Sequence, residues 1–285
     1  MSVTPFRLPV VASLRKEAIE ELLARGLRID GVRDPFTPRN VRVELGVVEK
    51  AEGSALVKLG NTQVMAGVKM DVGAPFRDTP DQGVLTVHAE FVPLASPLFE
   101  PGPPDENAIE LARVVDRSLR EIGAVDLGQL VIRPGEKVWV VWVDLYILDH
   151  DGNLFDASML AAMAALLDAR MPYYEEIETG DVIVDRSVKT EERLPIRHRV
   201  VTVTVAKIGR NLAVDPNFEE ESVSDVRLVY ALDEAGRIVG IQKSGEGALR
   251  REEVLRALEM AKRAAPVYFK ALEEALTPAG SGASG

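Results

Sequence analysis

The sequence predicts an α+β fold made of two related subdomains, each combining a mixed sheet with packed helices. The predicted strands cluster ahead of the helices instead of alternating with them regularly, which is typical of this class. The chain is long enough to bury a sizeable core, since it has 285 residues of which 46% are hydrophobic. An internal echo suggests the division into two: Tyr146, Leu148, Asp149, Gly152 and Leu154 recur in type and spacing as Tyr230, Leu232, Asp233, Gly236 and Ile238. A DxxG turn also arises independently from turn chemistry, so the echo alone leaves duplication open.

The first half begins with a helix and an arm over residues 1–34. Its helix, residues 13–25, has Ser13 as the predicted N-cap and Gly26 as the stop. The first subdomain covers residues 35–174, and its predicted strands are residues 41–49, 54–59, 62–70, 84–92 and 137–148. Its predicted helices are residues 108–122 and the alanine-rich residues 157–171, and each copy of the echo is expected to lead into a helix.

The second half follows a polar connector over residues 175–199. The second subdomain covers residues 200–276 and closes with a long helix over residues 249–276. Its predicted strands are residues 200–208, 212–214, 226–232 and 238–243. Residues 277–285 are small and polar, and we expect a disordered tail.

Composition excludes several classes of function. The chain has no cysteine, which rules out disulfides, thiolate zinc sites and a cysteine nucleophile. Its formal net charge of -11 argues against broad coating of duplex nucleic acid, so any such contact should be confined to a small patch. His88, His150 and His198 lie far apart in the sequence, and each is expected to be structural. The sequence offers neither a signal peptide nor a membrane span, so we expect a cytoplasmic protein without a membrane partner.

The helix at residues 108–122 carries the clearest surface signal. At ~100° per residue, its apolar side and its three arginines fall on opposite faces. The apolar residues are Ala108, Ala112, Val115, Leu119 and Ile122, and the arginines are Arg113, Arg117 and Arg120. A basic stripe on an acidic protein suggests an anion site. The alternative is a solvated face on which Arg113 pairs with Glu110 and Arg117 with Glu121.

Two further segments suggest chemistry without deciding it. Asp215 is followed by Glu219, Glu220 and Glu221, a cluster that suits a divalent metal or acid/base work. The alternative is a solvated acidic loop, because the adjacent Pro-Asn pair is ordinary turn chemistry. Residues 244–247, Ser-Gly-Glu-Gly, resemble a phosphate cradle, although their glutamate opposes an anion.

Several long motifs occur in an order that resembles the RNase PH family of phosphorolytic exoribonucleases, and within it the non-catalytic subunits of the archaeal exosome core. The likeness covers about residues 26–275. The matching stretches are RIDGVR (28–33), GSALVKLGNTQVMAGV (53–68), GVLTVHAEF (83–91), ENAIELARVVDRSLRE (106–121) and LDHDGNLFDASMLAAMAALLDA (148–169). The first motif departs from the family's RxDGR, since Val32 stands at the last arginine's place and Arg33 follows.

The resemblance implies that this chain lacks catalytic residues of its own. Catalytic members carry DGGTR, whose threonine and arginine help to hold the attacking phosphate, whereas this chain has Leu154 and Phe155 there. They also carry two aspartates six residues apart, and this chain has Asp215 with Glu221. The resemblance therefore implies a degenerate phosphate site, a degenerate acidic pair, and no metal or cofactor in this chain. Inorganic phosphate, and Mg²⁺ if one is used, would belong to the catalytic partner.

The resemblance also implies partners and an RNA-binding role. The implied partners are a catalytic RNase PH-like exosome subunit, in a hexameric ring of three heterodimers, together with RNA-binding cap subunits and single-stranded RNA. Arg113 and Arg117 match positions that contact the RNA backbone. Arg77, in the loop at residues 73–83, is a weaker candidate at the ring entrance, and Arg120 is expected to be structural. Two alternatives stay open: an active metal-dependent exoribonuclease that uses Asp215 and Glu221, and a pure scaffold that does not touch RNA.

Overall fold

The computed structural model describes residues 10–177 and 181–277. Most of the predicted tail, from residue 278 onward, and the first nine residues of the predicted arm lie outside this range. Within it, no helix is both long enough and apolar enough to cross a lipid bilayer.

The first sheet has six strands: β1 (Val41–Leu45), β2 (Gly53–Leu59), β3 (Thr62–Gly73), β4 (Val84–Phe91), β5 (Val131–Arg133) and β6 (Lys137–Asp149). Their order is β1-β2-β3-β6-β4, with β5 also pairing with β6. The sheet is mixed, because β4 and β6 pair in parallel while every other strand pair in the sheet is antiparallel. β1 is shorter than predicted, since Gly46 adopts a left-handed conformation (φ 67°) and turns the chain.

The second sheet has four antiparallel strands: β9 (Val200–Ile208), β10 (Asn211–Val214), β11 (Val226–Asp233) and β12 (Ile238–Ser244). Their order is β10-β9-β11-β12. All four lie where the sequence predicts strands.

The predicted connector contains strands that the sequence analysis did not predict. Two strands, β7 (Arg170–Glu176) and β8 (Val182–Arg193), pair as an antiparallel hairpin across most of residues 175–199. Their many charged, exposed positions hide the strand pattern in the sequence.

Five α-helices in the described ranges complete the fold: α1 (Val10–Ala24), α2 (Glu106–Glu121), α3 (Leu154–Asp168), α4 (Phe218–Ser222) and α5 (Arg251–Leu276). α3 lies between the two sheets and is buried from Leu154 to Leu166, so its many alanines allow close packing on both sides. α5 covers the second sheet, and α2 packs on β4 and reaches β12.

Several helix ends differ from the prediction. α1 begins at Val10, so Ser13 lies inside the helix and is not its N-cap. Its predicted stop is confirmed, because Gly26 has φ 76° and the amide of Leu27 donates to the carbonyl of Leu22. α3 begins three residues earlier than predicted, directly after the first DxxG turn. The second DxxG turn leads into β12 and not into a helix, so the two copies share the turn but not the element that follows it.

A closed ionic site and an exposed arginine helix

Asp215 follows β10 and lies fully buried at the centre of an ion-pair network. Arg39 donates to it three times, from its backbone amide (2.7 Å), from Nε (2.9 Å) and from Nη2 (2.8 Å). Asn153 Nδ2 adds a bond of 2.6 Å to Oδ1. Burial alone would raise the pKa of Asp215, but the charge and hydrogen bonds of Arg39, helped by Arg33 and Asn153, lower it to about 2. The Asp215 carboxylate is therefore ionised, and both of its oxygens already accept hydrogen bonds.

The glutamates behind Asp215 are neutralised in the same way. Glu220 forms a buried ion pair with Arg28, and Glu221 forms one with Arg227. Glu221 Oε2 also accepts the backbone amide of Asn153 at 2.5 Å. Burial lowers the pKa of Arg227 to about 10, so its guanidinium remains charged at neutral pH. The four acid-cluster residues thus do not share one environment, since only Glu219 is exposed enough to pair with Arg15 at the surface.

The alternative of a solvated acidic loop is wrong for this segment. Residues 218–222 form α4, which begins with a capping box between Asn217 and Glu220. The helix turns Glu220 and Glu221 inward toward their arginines. The sequence contains this signal, Asn217 followed three residues later by Glu220, but the turn residues before it hid the helix.

The acidic cluster does not fit a metal ion. Among residues 10–177 and 181–277, no three His, Cys, Asp or Glu side chains are grouped to hold one. Oxygen ligands must be free to face a hard cation, and the oxygens of Asp215, Glu220 and Glu221 already accept hydrogen bonds from guanidinium or amide groups.

Leu154 and Phe155 form the start of α3 and are each about 99% buried, with 1% exposure. The Phe155 ring lies 6.0 Å from the guanidinium carbon of Arg227. Asn153 precedes them in a left-handed conformation (φ 54°) and links Asp215 to Glu221 through its side chain and backbone. The structure thus brings the predicted phosphate site and the predicted acidic pair into one cluster. It supplies no side-chain donor from Leu154 or Phe155.

Asp156 belongs to the same cluster, although nothing in the sequence singles it out. Its carboxylate accepts hydrogen bonds from the Thr204 amide (3.0 Å), Thr204 Oγ1 (2.8 Å), Asn153 Nδ2 (2.7 Å) and Tyr268 Oη (3.2 Å). Complete burial and the nearby charge of Asp215 outweigh these donors and raise the pKa of Asp156 to about 7. Asp156 is therefore a second buried carboxylate in this site, and its pKa lies close to neutral pH.

His150 packs beside this cluster in an aromatic environment. Its ring stacks on Phe99 and meets Phe218 edge-on, at centroid distances of 5.4 and 5.2 Å. Burial, with the charges of Arg227 and Arg39, lowers the pKa of His150 to about 4, so the ring is neutral at pH 7. His88, on β4, is exposed instead.

The Ser-Gly-Glu-Gly segment packs on a neighbouring turn. The amide of Gly247 donates to the carbonyl of Asp225 at 2.8 Å. A side chain at Gly247 would meet that same carbonyl oxygen, since an added Cβ would lie 2.5 Å from it. The second glycine of this segment therefore serves close packing.

The arginines of α2 lie outside the buried cluster and differ from one another. Arg113 and Arg117 are exposed, and neither forms an ion pair with any residue that the structure describes. The alternative pairs with Glu110 and Glu121 do not form; Glu110 instead accepts from Gln242 Nε2 at 3.1 Å. Arg120 pairs with Asp116 at 2.7 Å and donates to the Leu85 carbonyl at 2.7 Å. Two guanidinium groups thus remain available on this face.

Arg77 lies in the loop between β3 and β4 and is exposed. It is not part of the buried cluster.

Known proteins match this chain over both halves of its fold. Residues 37–172 match domain 1 of the 3' exoribonuclease family, and residues 198–264 match its domain 2. Exosome complex component Rrp42 of Aeropyrum pernix is 68% identical over 98% of this chain and 100% of its own length. The Rrp42 of Sulfurisphaera tokodaii is 52% identical over 96% of this chain and 98% of its own length.

Solved structures agree. A chain of the Archaeoglobus fulgidus exosome with RNA bound to the active site is 47% identical, with a TM-score of 0.83 over 92% of this chain and 99% of that one. A chain of an archaeal exosome core is 43% identical, with a TM-score of 0.78 over 92% of this chain and 98% of that one. The resemblance and the fold predicted from the motifs are therefore confirmed.

Proposed function

Because this chain belongs to the RNase PH family of 3' exoribonucleases, we propose that it is a non-catalytic, RNA-binding subunit of an exosome-type core. It alternates with a catalytic RNase PH-like partner in a cytoplasmic ring of three heterodimers, to which RNA-binding caps attach. It helps to structure the partner's active site during 3' to 5' phosphorolysis of single-stranded RNA.

The closed ionic site carries the proposal that the chain is non-catalytic. Phosphorolysis needs a multiply charged phosphate beside the RNA end, and such an anion is held by charged hydrogen-bond donors. Here the donors of the cluster that Leu154 and Phe155 adjoin, namely Arg39, Asn153 and Arg227, already bond to Asp215 and Glu221. Each missing charged hydrogen bond costs about 1.5–3 kcal/mol of binding, so phosphate binding here should be weak.

The unpaired arginines of α2 support RNA contact. Arg113 and Arg117 are one helical turn apart, so their guanidinium groups can reach neighbouring phosphates of a single strand. Both line the cleft between α2 and β12 together with Gln242. Contacts to the phosphate backbone carry no sequence information, so the chain would hold RNA for its partner without selecting its sequence. Arg77 adds a weaker contact from its exposed loop.

The test reconstitutes the complex from this chain and the catalytic RNase PH-like subunit of the same organism. We expect Arg113→Glu with Arg117→Glu to leave the mass of the complex unchanged and to lower the rate of RNA degradation at least tenfold. The control variant, Arg256→Glu with Lys262→Glu on α5, makes the same charge change at another exposed site and should keep the rate. An unchanged rate in the α2 variant would favour the scaffold alternative.

A second experiment, on the chain without its partner, tests the catalytic alternative. The purified chain alone, given single-stranded RNA, magnesium and inorganic phosphate, should release no nucleoside diphosphate. Release that disappears in Asp215→Asn would overturn the non-catalytic assignment.

A further inference from the structure

The outer face of the first sheet is left uncovered by the described part of the chain. From residue 139 to residue 148 of β6, buried and partly exposed side chains alternate. The outward positions are Val140, Trp142, Asp144, Tyr146 and Leu148. Trp142 is 37% exposed, although indole rings are normally buried far more completely. Thus an inner strand of this sheet presents aromatic and aliphatic side chains toward solvent.

Asp144 lies in the middle of this face without a partner. It forms no hydrogen bond or ion pair with any residue in the described ranges, and it is only half exposed between Trp142 and Tyr146. Lys69, on β3 opposite Trp142, is turned to Glu52 (2.8 Å) and the Lys50 carbonyl (2.9 Å). Burial raises the pKa of Asp144, and the cross-strand neighbour His88 opposes this only in part.

The residue opposite Asp144 on β3 makes room above the carboxylate. This residue is Gly67, and an added Cβ there would meet no atom within 4 Å. The result is a shallow depression with a carboxylate at its base, open space on the Gly67 side, and the rings of Trp142 and Tyr146 two residues away on either side along the strand.

We propose that this depression receives an arginine side chain from a neighbouring RNase PH-like subunit. A guanidinium pairs with a carboxylate in a bidentate geometry and also stacks on aromatic rings, which a compact ammonium does less well. A half-desolvated carboxylate without a partner is costly, and a cation removes that cost. The surrounding Met65, Val140 and Leu148 suit a protein surface, and the negative charge disfavours RNA. This inference rests on the proposed assembly with such a subunit.

The first test compares binding to the catalytic RNase PH-like subunit for the wild-type chain, Asp144→Asn and the control Glu90→Gln. Glu90 is an exposed carboxylate on the same face of β4, so its variant removes the same charge. We expect Asp144→Asn to raise the Kd about tenfold or more, as loss of a charged hydrogen bond does, and Glu90→Gln to leave it within about twofold. The free Asp144→Asn chain should be at least as stable as the wild type, since an unpaired, half-buried charge is removed.

Two spectroscopic and chemical readouts identify the contact. With 5-fluorotryptophan in this chain, the ¹⁹F resonance of Trp142 should shift and lose solvent exposure on assembly, while that of the buried Trp139 should not. One arginine of the partner should be protected from phenylglyoxal in the wild-type complex and react in the Asp144→Asn complex. If the wild type binds but Asp144→Asn binds equally well, or no arginine is protected, this inference is overturned alone. If the wild type does not bind the partner, the proposed function is overturned with it.

Discussion

Arg39 illustrates why the candidate site could be only half predicted from the sequence. Its side chain bonds to Asp215, which lies 176 positions further along the chain. Leu154, Phe155, Asp215 and Glu221 stand out because they occupy motif positions. Arg39 does not, since an arginine far away in sequence becomes the partner of a carboxylate only through the packing of two sheets around α3. The residues of the site could thus be identified from local patterns, whereas its closed state could not.

A buried carboxylate that titrates near neutral pH leads to a prediction about stability. The pKa of Asp156 is about 7 in the folded chain and near 3.8 when unfolded, so the folded state binds this proton more tightly. Its contribution is therefore fully present below pH 4 and is lost as the pH rises toward 7. In Asp156→Asn the amide can keep the same geometry, with Oδ1 accepting from the Thr204 amide and Nδ2 facing Thr204 Oγ1.

We therefore expect the free energy of unfolding of the wild type, relative to Asp156→Asn, to fall by a few kcal/mol (about 1.4 per pKa unit) between pH 4 and pH 8. Guanidinium unfolding curves at each pH measure this difference, and the contributions of Asp215 and other groups common to both chains largely cancel. Parallel pH profiles for the two chains would contradict it.

At the scale of elements, prediction works where one pattern is complete within a segment. The helical periodicity of apolar residues in α2 and the apolar run of β9 are each enough to predict the element. Both elements lie where the sequence places them. The hairpin of β7 and β8 was missed because its exposed, charged positions carry little periodicity. α4 was missed because it has only five residues and depends on its capping box and on the arginines that hold Glu220 and Glu221.

A comparison of the two DxxG turns tests whether α4 depends on its contact with the first turn. Gly152 and Gly236 both have positive φ, 79° and 71°, so an alanine at either position is strained by about 1–2 kcal/mol. An added Cβ at Gly236 meets nothing within 4 Å, whereas at Gly152 it would lie 2.5 Å from the backbone carbon of Asn217, at the start of α4.

We expect Gly236→Ala to lower the free energy of unfolding by only the strain, and Gly152→Ala to lower it by about 2 kcal/mol or more beyond that, as overpacking does. Guanidinium unfolding followed by circular dichroism measures both. Equal losses would show that α4 does not depend on its contact with the first turn.

At the scale of the whole molecule, buried and exposed arginines have opposite uses. The chain has a formal net charge of -11, and several of its arginines are buried against carboxylates that hold the two halves together. These cations cannot attract RNA. Any affinity for RNA must therefore come from cations at the surface, such as Arg113 and Arg117, which makes it sensitive to salt.

The salt dependence of RNA binding distinguishes the unpaired arginines of α2 from Arg120, which is paired on the same helix. Each phosphate contact with a single strand contributes about -0.7 to the slope of log K against log salt concentration, so removing two contacts should make the slope shallower by about 1.4. We expect this change for Arg113→Gln with Arg117→Gln in the reconstituted complex, measured by fluorescence anisotropy with a labelled oligonucleotide. Arg120→Gln is the control on the same helix, because Arg120 is already bound to Asp116 and the Leu85 carbonyl, and its slope should equal the wild type's. If the double variant keeps the wild-type slope, Arg113 and Arg117 do not contact phosphates, and the exposed face of α2 has another use.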